Sequence, residues 1–372
     1  MERIKILIFH PTIAPYRIDL FNSIASAFET QICLSYRNLR SQKFDYSTIE
    51  SQFCFKPIYL TKRLELSNRV ICKGYWDIIR KFNPNIIICS EFGYDILACL
   101  TYKIIFHKKY KIVSMCDDSY DMVNNNNDFS FIHRYLRKRI TPNLNGLILV
   151  EPDTKMWFHQ NFGKGFYFPI VAKDERIRQQ YRESISISNK YISQYKLNNK
   201  KVYLFVGRLV SIKNVHSLIS AFDKARLSDS ILVIVGDGPE NENLKRLASH
   251  NANIIFTGRL EGNHLYAWYN IAGCFVLPSI KEPFGAVTNE ALLAGCKAIV
   301  SNKAGSKCLI NEGINGYTFN PTCTEEFSSL LIQINNEISP INKMNDIKPS
   351  MMGKTYNEYL AELKDYLIHL CK

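Results

Sequence analysis

The sequence predicts two doubly wound α/β domains joined by a polar linker. Short apolar runs rich in isoleucine, valine and phenylalanine recur along the 372 residues, separated by segments long enough for a helix. This pattern is typical of buried parallel strands with helical crossovers. A chain of this length with 46% hydrophobic residues can fill two ordinary cores. The polar stretch at 173–200 interrupts the pattern and marks the boundary between the domains.

The apolar runs give the predicted strands in chain order. In the first half they lie at 5–9, 31–35, 55–60, 85–89, 111–115, 146–150 and 165–168. In the second half they lie at 202–206, 230–235, 253–256, 274–277, 297–300 and 316–319. We therefore predict an N-terminal domain at 1–172, a linker at 173–200 and a C-terminal domain at 201–350.

Two further segments have a distinct pattern. Residues 351–372 carry tyrosine and leucine at helical spacing, from Tyr356 to Leu370, which predicts an amphipathic helix that packs back on the N-terminal domain. The asparagine run at 124–127, followed by Asp128, predicts a solvent-exposed loop.

Composition narrows the class of protein. The formal net charge of +13 suits phosphorylated small molecules, acidic membrane surfaces or polyanions. The basic residues are dispersed and accompany no recognised nucleic-acid motif, so we expect no nucleic-acid partner. The eleven cysteines form no C-x-x-C pair and often lie in apolar runs, which predicts reduced thiols in a cytoplasmic protein. The apolar start is too short for a signal peptide or a membrane span.

The segment from Pro278 to Gly295 is the most informative motif. It follows an apolar strand and opens a helix, with Glu282 on the loop before Pro283 and Glu290 in the first turns of the helix. Gly285 permits close backbone approach, and the amides of Phe284, Gly285 and Ala286 face the carboxyl edge of the sheet. A nucleotide-sugar would satisfy this arrangement, because hydroxyls meet the carboxylates and the diphosphate meets the amides.

A second motif follows the first strand of the C-terminal domain. Gly207 is followed by Arg208, and Lys213 lies five residues further on. A guanidinium grips phosphate oxygens through paired hydrogen bonds, and an ammonium adds a point charge at the same edge. No Asp-x-Asp metal motif accompanies them, so we expect no metal and no cofactor beyond the nucleotide-sugar substrate.

With these motifs the second half resembles the family 4 glycosyltransferases, retaining enzymes of the GT-B architecture. The resemblance covers roughly residues 200–321. It includes, in family order, Gly207-Arg208 with Lys213, Gly236-Asp237-Gly238-Pro239, Gly258-Arg259, Pro278-Ser279, Glu282 to Glu290 and Asn315-Gly316. The sequence departs from the family at Ala304-Gly305-Ser306-Lys307, where a glutamate is usual and where Lys307 is a further candidate for phosphate binding.

The resemblance implies a fold and roles for these residues. The fold would be GT-B, two Rossmann-like domains facing each other across a cleft that holds the donor. Arg208 and Lys213 would bind the donor diphosphate, Glu282 would contact the sugar, and Glu290 would hold the ribose hydroxyls. The turns at Gly236–Pro239 and Gly258-Arg259 are better interpreted as structural.

Acceptor and catalytic residues of the N-terminal half are less sharply defined. Tyr16 and Arg17 begin the first helix after Pro15, and Arg17 either meets an acceptor phosphate or lines the cleft wall. Asp117 and Asp118 follow the fifth strand where the family often places a residue near the reacting sugar, although either could simply cap a helix. The basic, aromatic segment 133–140 is either a peripheral contact with an acidic membrane or a solvated helix face.

The predicted function is a metal-independent, retaining hexosyltransferase. It would move a sugar from a nucleotide-diphosphate sugar to a glycan or a lipid-linked glycan in cell-surface polysaccharide biosynthesis, in the cytoplasm or at the inner face of the membrane. The alternative is a non-hydrolysing nucleotide-sugar epimerase, although no acid and base set for it is obvious. A dinucleotide oxidoreductase is disfavoured because the first strand lacks the G-x-G-x-x-G fingerprint.

Overall fold

The computed structural model describes residues 3–37, 46–60, 63–66, 69–72, 74–125 and 130–372. The chain forms two compact units, one comprising Met1–Ile170 with Asn357–Lys372 and the other comprising Val171–Tyr356. Each unit contains a parallel sheet with helical crossovers. The prediction of two Rossmann-like doubly wound domains is therefore confirmed.

The first unit is built on a seven-stranded parallel sheet in the order β3-β2-β1-β6-β7-β8-β9. These strands are β1 (Lys5–His10), β2 (Glu29–Leu34), β3 (Ile58–Tyr59), β6 (Ile86–Ser90), β7 (Lys111–Cys116), β8 (Gly146–Leu149) and β9 (Phe166–Tyr167). Each corresponds to a predicted apolar run, because a strand covered on both faces must be apolar along its length. A separate antiparallel pair, β4 (Arg63–Leu66) with β5 (Arg69–Cys72), was not predicted.

The helices of the first unit cover the faces of this sheet. They are α1 (Ile18–Ala27), α2 (Tyr46–Glu50), α3 (Tyr75–Phe82), α4 (Tyr94–Ile105), α5 (Tyr120–Asn125), α6 (Phe131–Ile140) and α7 (Pro152–Phe162). Helix α6 contains the predicted basic segment, and Ser130 caps its start by accepting a hydrogen bond from the His133 amide. Of the predicted asparagine loop, positions 124 and 125 end α5, and positions 126–128 lie outside the described residues.

The second unit has a six-stranded parallel sheet in the order β12-β11-β10-β13-β14-β15. Its strands are β10 (Lys201–Val206), β11 (Ser230–Val235), β12 (Ile254–Gly258), β13 (Cys274–Leu277), β14 (Lys297–Ser301) and β15 (Gly316–Phe319). Its helices are α8 (Asp174–Glu183), α9 (Ile185–Gln194), α10 (Val215–Ala225), α11 (Asn241–Ala248), α12 (Gly262–Ile271), α13 (Val287–Leu293) and α14 (Thr324–Asn335). All six predicted strands of this half are present.

The predicted linker is instead a pair of packed helices. Residues 173–200 contain α8 and α9, which belong to the second unit and pack on α12. Ile177, Tyr181 and Ile192 are buried there at helical spacing. The polar composition hid the buried face of these helices in the sequence. The small serines Ser184 and Ser188 are buried on that face, so few apolar residues are needed to form it.

The C-terminal helix α15 spans Tyr356–Cys371 and begins five residues later than predicted. From Asn357 onwards it belongs to the first unit. Leu363 and Leu367 are fully buried, and the ring of Tyr366 stacks on that of Phe166 with centroids 4.4 Å apart. The helix thus covers the β8–β9 end of the first sheet.

Two expectations from the sequence concern reduced cysteines and membrane spans. All eleven cysteines are free thiols, and most are buried. In the ranges that the structure describes, no helix combines the length and the apolar character required to cross a membrane.

Candidate functional site

The candidate site of the second unit lies where the strand order of its sheet reverses. β11 and β12 extend from β10 on one side, whereas β13, β14 and β15 lie on the other. Ligands of open α/β sheets bind outside the carboxyl ends of the strands at such a point. The loops that follow β10 and β13 meet here, where the Ile280 amide donates to the Ile212 carbonyl at 2.9 Å.

An ion pair joins these two loops at the side-chain level. Lys213 Nζ contacts Glu282 Oε2, and the two side chains are only 15% and 13% exposed. Lys213 ends a 3-10 turn that starts at Ser211, whereas Glu282 is held in an extended segment by a bridge to Ala304. The structure therefore brings together two residues that the sequence placed at one site, and it pairs them with each other.

The side chain of Arg208 is exposed, and backbone hydrogen bonds of the residues on either side fix its position. The Gly207 amide donates to the Val235 carbonyl at 3.0 Å, and the Leu209 amide donates to Asp237 at 2.9 Å. A Cβ at Gly236 would lie 1.9 Å from the Gly207 carbonyl oxygen, so only glycine permits this contact between loops. The predicted structural role of this turn is thus to support the loop of Arg208. Within the described part of the chain, the Arg208 guanidinium has no ion-pair partner.

Glu290 lies on α13 with its carboxylate inside the unit. The Tyr269 hydroxyl donates to Glu290 Oε2 at 2.9 Å, and the Tyr181 hydroxyl donates to the Glu290 carbonyl at 2.7 Å. Burial raises the pKa of Glu290, while the hydrogen bond from Tyr269 and the charge of Arg176 act in the opposite direction. Sequence reasoning did not identify Tyr269, which lies on α12 and meets Glu290 only through the fold.

The turn between Glu282 and α13 depends on tight packing. Gly285 has φ +93°, and a Cβ there would lie 2.7 Å from Leu277 and 3.2 Å from the Glu282 side chain. Phe284 is buried, and its carbonyl accepts from the Ser306 amide at 2.7 Å. The segment that departs from the family pattern therefore supports this turn through Ser306. Ala286 directly precedes α13, and binding by these amides stays a prediction, as does phosphate binding by Lys307.

In the first unit, Arg17 and Asp117 form an ion pair. Their side chains are 3% and 36% exposed, so the guanidinium is enclosed and the carboxylate keeps contact with solvent. Whether Arg17 meets an acceptor phosphate or lines the cleft wall stays a prediction, and in this structure its guanidinium is paired with Asp117. Tyr16, the other predicted acceptor residue, is exposed.

His10 belongs to the same cluster and was not predicted. It ends β1, and its Nδ1 lies 2.6 Å from the Thr12 carbonyl oxygen. Burial lowers the pKa of His10 to about 4, with Asp117 raising it and Arg17 lowering it further. The imidazole is therefore neutral at physiological pH. Its position at a strand end was the only signal in the sequence.

Asp118 has a different environment from Asp117. It is buried, and burial raises its pKa against the opposing influence of Cys116 and Arg137. Neither aspartate caps α5, because Glu151 accepts the hydrogen bond from the Tyr120 amide at the start of that helix. Asp117 is thus the member of the predicted pair that keeps contact with solvent. Across the described ranges, no group of three or more His, Cys, Asp or Glu side chains is arranged to hold a metal ion.

The Lys213–Glu282 pair should make a measurable contribution to the stability of the second unit. We expect a double-mutant cycle with Lys213→Met and Glu282→Gln to give a coupling energy of about 1–3 kcal/mol, because both groups are largely removed from water. Urea unfolding of the parent, the single variants and the double variant measures it. The exposed pair Lys224–Glu325 is the matched control and should show no measurable coupling. Equal, near-zero coupling for both pairs would contradict this account.

The buried carboxyl of Glu290 should make stability fall with rising pH. Its pKa is raised in the folded state, so the folded protein holds this proton more tightly than the unfolded chain does. The parent should lose stability relative to Glu290→Gln as pH rises from the ordinary value of 4.5 through the raised value. Urea midpoints across this range test the sign. Glu326→Gln, at an exposed position of α14, is the control and should run parallel to the parent.

Comparison with known proteins adds the family context. Residues 188–348, which include Arg208, Lys213, Glu282 and Glu290, match the family described as Glycosyl transferases group 1. The matched range covers most of the second unit.

Three curated relatives match parts of the chain. An uncharacterized glycosyltransferase of Methanocaldococcus jannaschii is 35% identical over 182 residues, 47% of this chain and 44% of the relative. A GDP-mannose-dependent alpha-mannosyltransferase of Corynebacterium glutamicum is 41% identical over 117 residues, 32% of this chain and 27% of the relative. The sulfoquinovosyl transferase of Arabidopsis thaliana is 33% identical over 130 residues, 34% of this chain and 25% of the relative. The chain thus spans less than half the length of each.

Solved structures share the fold along nearly the whole chain. Sucrose-phosphate synthase from Thermosynechococcus elongatus has a TM-score of 0.69 at 15% identity and covers 99% of both chains. Anabaena HepE, solved in complex with UDP, has a TM-score of 0.70 at 17% identity and covers 90% of both chains. Residues 188–348 thus form a domain of the glycosyl transferases group 1 type, within a chain that has the GT-B fold predicted from its sequence.

Proposed function

We propose that this protein is a metal-independent, retaining glycosyltransferase of family 4. It transfers a hexose from a nucleotide-diphosphate sugar to a glycan or lipid-linked glycan acceptor. The observation that carries the proposal is the contact between Lys213 and Glu282, which joins the loops after β10 and β13 at the strand-order reversal of the second unit, with Arg208 on the first of these loops. That unit contains the range matched by the family.

The charges at this edge suit a departing nucleoside diphosphate. Negative charge grows on the diphosphate as the bond to the anomeric carbon breaks, and fixed positive groups lower the energy of that state. Among the described residues no ion pair competes for the Arg208 guanidinium, and Lys213 supplies an ammonium whose position is fixed by Glu282. In this proposal the two side chains provide the positive charge that a metal ion supplies in other transferases.

The two glutamates would hold the donor by its hydroxyl groups. Glu282 is fixed in direction by Lys213, so its carboxylate offers a defined acceptor for a sugar hydroxyl. Glu290 is oriented by Tyr269 and would accept from the ribose hydroxyls. Names of relatives agree with this class of donor, since one depends on GDP-mannose and a structural neighbour was solved with UDP.

The first unit would provide the acceptor side of the reaction. Of Asp117 and Asp118, Asp117 is the one that retains solvent contact, and Tyr16 is exposed on the same unit. Helix α6 exposes Phe131, Ile132 and Tyr135 on a helix that ends in basic residues, which suits peripheral contact with an acidic membrane at its cytoplasmic face. A cell-surface polysaccharide is the product class that we propose on this basis. The relatives named above are transferases and lend no support to the epimerase alternative.

A thermal-shift panel of UDP-, GDP-, ADP- and TDP-sugars without added metal tests the proposal. A ligand that binds only the folded state raises the unfolding midpoint, so one nucleotide should shift it selectively. Repeating the panel with EDTA tests metal independence. The absence of a shift with every nucleotide-sugar would contradict the proposal.

Two variants separate the roles of the site residues. The measurement is steady-state kinetics with the donor that the panel selects. Arg208→Ala should reduce kcat more than donor affinity, because its charge matters most when the leaving group departs. Glu290→Ala should instead weaken donor binding. Arg259→Ala, which removes an exposed guanidinium paired with Glu261, is the matched control. Parental kinetics in both Arg208→Ala and Glu290→Ala would refute the site assignment.

A further inference from the structure

A cavity of about 460 Å³ opens at the sheet edge of the first unit. It lies beyond the carboxyl ends of β1, β2 and β6, and β1 and β6 are the neighbouring strands between which the order of this sheet reverses. Helices α4 and α6 provide the remaining wall. Its volume and position are those of a small-molecule site in an open α/β sheet.

The deepest wall of the cavity is aromatic. Phe9, Tyr75 and Phe92 line it and are themselves buried, so they offer rigid apolar surface rather than mobile side chains. Among the described residues that line the cavity, none is lysine or arginine. His10 also lines it and is neutral at physiological pH, because burial lowers its pKa to about 4. Neither His10 nor any lysine or arginine of the described lining therefore offers a fixed cation to a phosphate group, and the other histidine of the lining is His133 on α6.

Glu91 provides an acidic group in this wall. It adopts φ +53°, and β7 fixes its backbone because its amide donates to the Met115 carbonyl at 2.8 Å and its carbonyl accepts from Ser114 Oγ. No described residue donates a hydrogen bond to its carboxylate. The side chain keeps contact with solvent through the open cavity. Burial, followed by the charges of Asp118, Asp117 and Asp95, raises the pKa of Glu91 to about 7.

Asp95 is the other carboxylate in the wall, but it is engaged by its own helix. Its Oδ1 accepts from the Ile96 amide at 2.9 Å, at the start of α4. Glu91 is therefore the carboxylate of this cavity with hydrogen-bonding capacity to offer a ligand. A carboxylate that faces water and no cation accepts readily from hydroxyl groups.

The rim of the cavity is apolar and exposed. Ile132 of α6 and Tyr94 of α4 line the cavity and are 54% and 42% exposed, and Phe131 beside Ile132 is 74% exposed. A ligand that fills the cavity with a polar head can therefore continue onto an apolar surface without a break.

We infer that this cavity binds the uncharged, hydroxyl-rich head of an amphiphilic glycoside acceptor, with Glu91 accepting from its hydroxyls and the Tyr94–Ile132 rim contacting its apolar part. This inference rests on the proposed glycosyl transfer and narrows its acceptor class to glycosides with an apolar aglycone. It also replaces Arg17 as the acceptor contact, because Arg17 is enclosed in its pair with Asp117. Glu91 is a binding residue here and takes no part in bond breaking.

Ligand-detected NMR on the full chain tests the inference with three probes: n-octyl glucoside below its micelle concentration, methyl glucoside and glucose 1-phosphate. Octyl glucoside should bind more tightly than methyl glucoside because of the rim. Glu91→Gln should weaken both glucosides about tenfold or more, as expected when a charged acceptor of hydrogen bonds is lost. Ile132→Ser should remove the advantage of the octyl chain. Ile104→Ser, which changes an isoleucine that is 70% exposed at the end of α4, should leave the octyl advantage unchanged.

Several outcomes would overturn the inference. These are unchanged glucoside affinity in Glu91→Gln, an octyl advantage that survives Ile132→Ser, and displacement of the glucosides by tetramethylammonium, which would mark a cation site. The inference would also be overturned if glucose 1-phosphate binding were lost in Glu91→Gln but kept in Arg208→Ala, because the cavity would then bind a phosphorylated sugar. Retained nucleotide-sugar shifts show that Glu91→Gln is folded. Glucoside binding without any nucleotide-sugar binding would sink the proposed transfer and leave the cavity standing, whereas the reverse result would sink the cavity alone.

Discussion

The ion pair between Lys213 and Glu282 is the interaction on which the geometry of the second unit's site depends. It joins the loop after β10 to the loop after β13, two segments that are about seventy residues apart in sequence and adjacent only because the sheet places their strands side by side. With both side chains largely enclosed, neither can turn away without leaving a charge poorly solvated. The Ile280–Ile212 hydrogen bond fixes the same two loops through the backbone. The site is therefore organised before any ligand arrives, which is the condition for effective electrostatic stabilisation.

Glycine packing extends this organisation to Arg208. The loops after β10 and β11 approach so closely at Gly207 and Gly236 that a single methyl group would separate them. The exposed guanidinium is thus carried on a backbone that is fixed at both neighbours. The motif that contains Gly236 therefore supports the loop of Arg208 through its backbone. The Asp237 carbonyl accepts a hydrogen bond from the Leu209 amide.

Much of this architecture could be predicted from the sequence because buried parallel strands must be apolar throughout, and every predicted strand is present. The β4–β5 pair escaped prediction because strands of four residues are too short to give a distinct apolar run in the sequence. Helices α8 and α9 were taken for a linker because buried serines hid their packed face. In the candidate site, motif order predicted that Lys213 and Glu282 lie at one edge of the sheet, and the structure brings them into contact. The contacts of Tyr269 and Arg17 join residues distant in sequence, which no local pattern reveals.

The two units present different electrostatic character at equivalent sheet edges. In the second unit Arg208 has no ion-pair partner among the residues that the structure describes, and Lys213 is paired with Glu282, so the edge favours an anion. In the first unit Arg17 is paired with Asp117 and His10 is uncharged, so neither side chain offers a free cation to an anion. The net charge of +13 is therefore a poor guide to either site. Which charges are already paired at each edge is therefore a better guide to the ligands that each unit could accept.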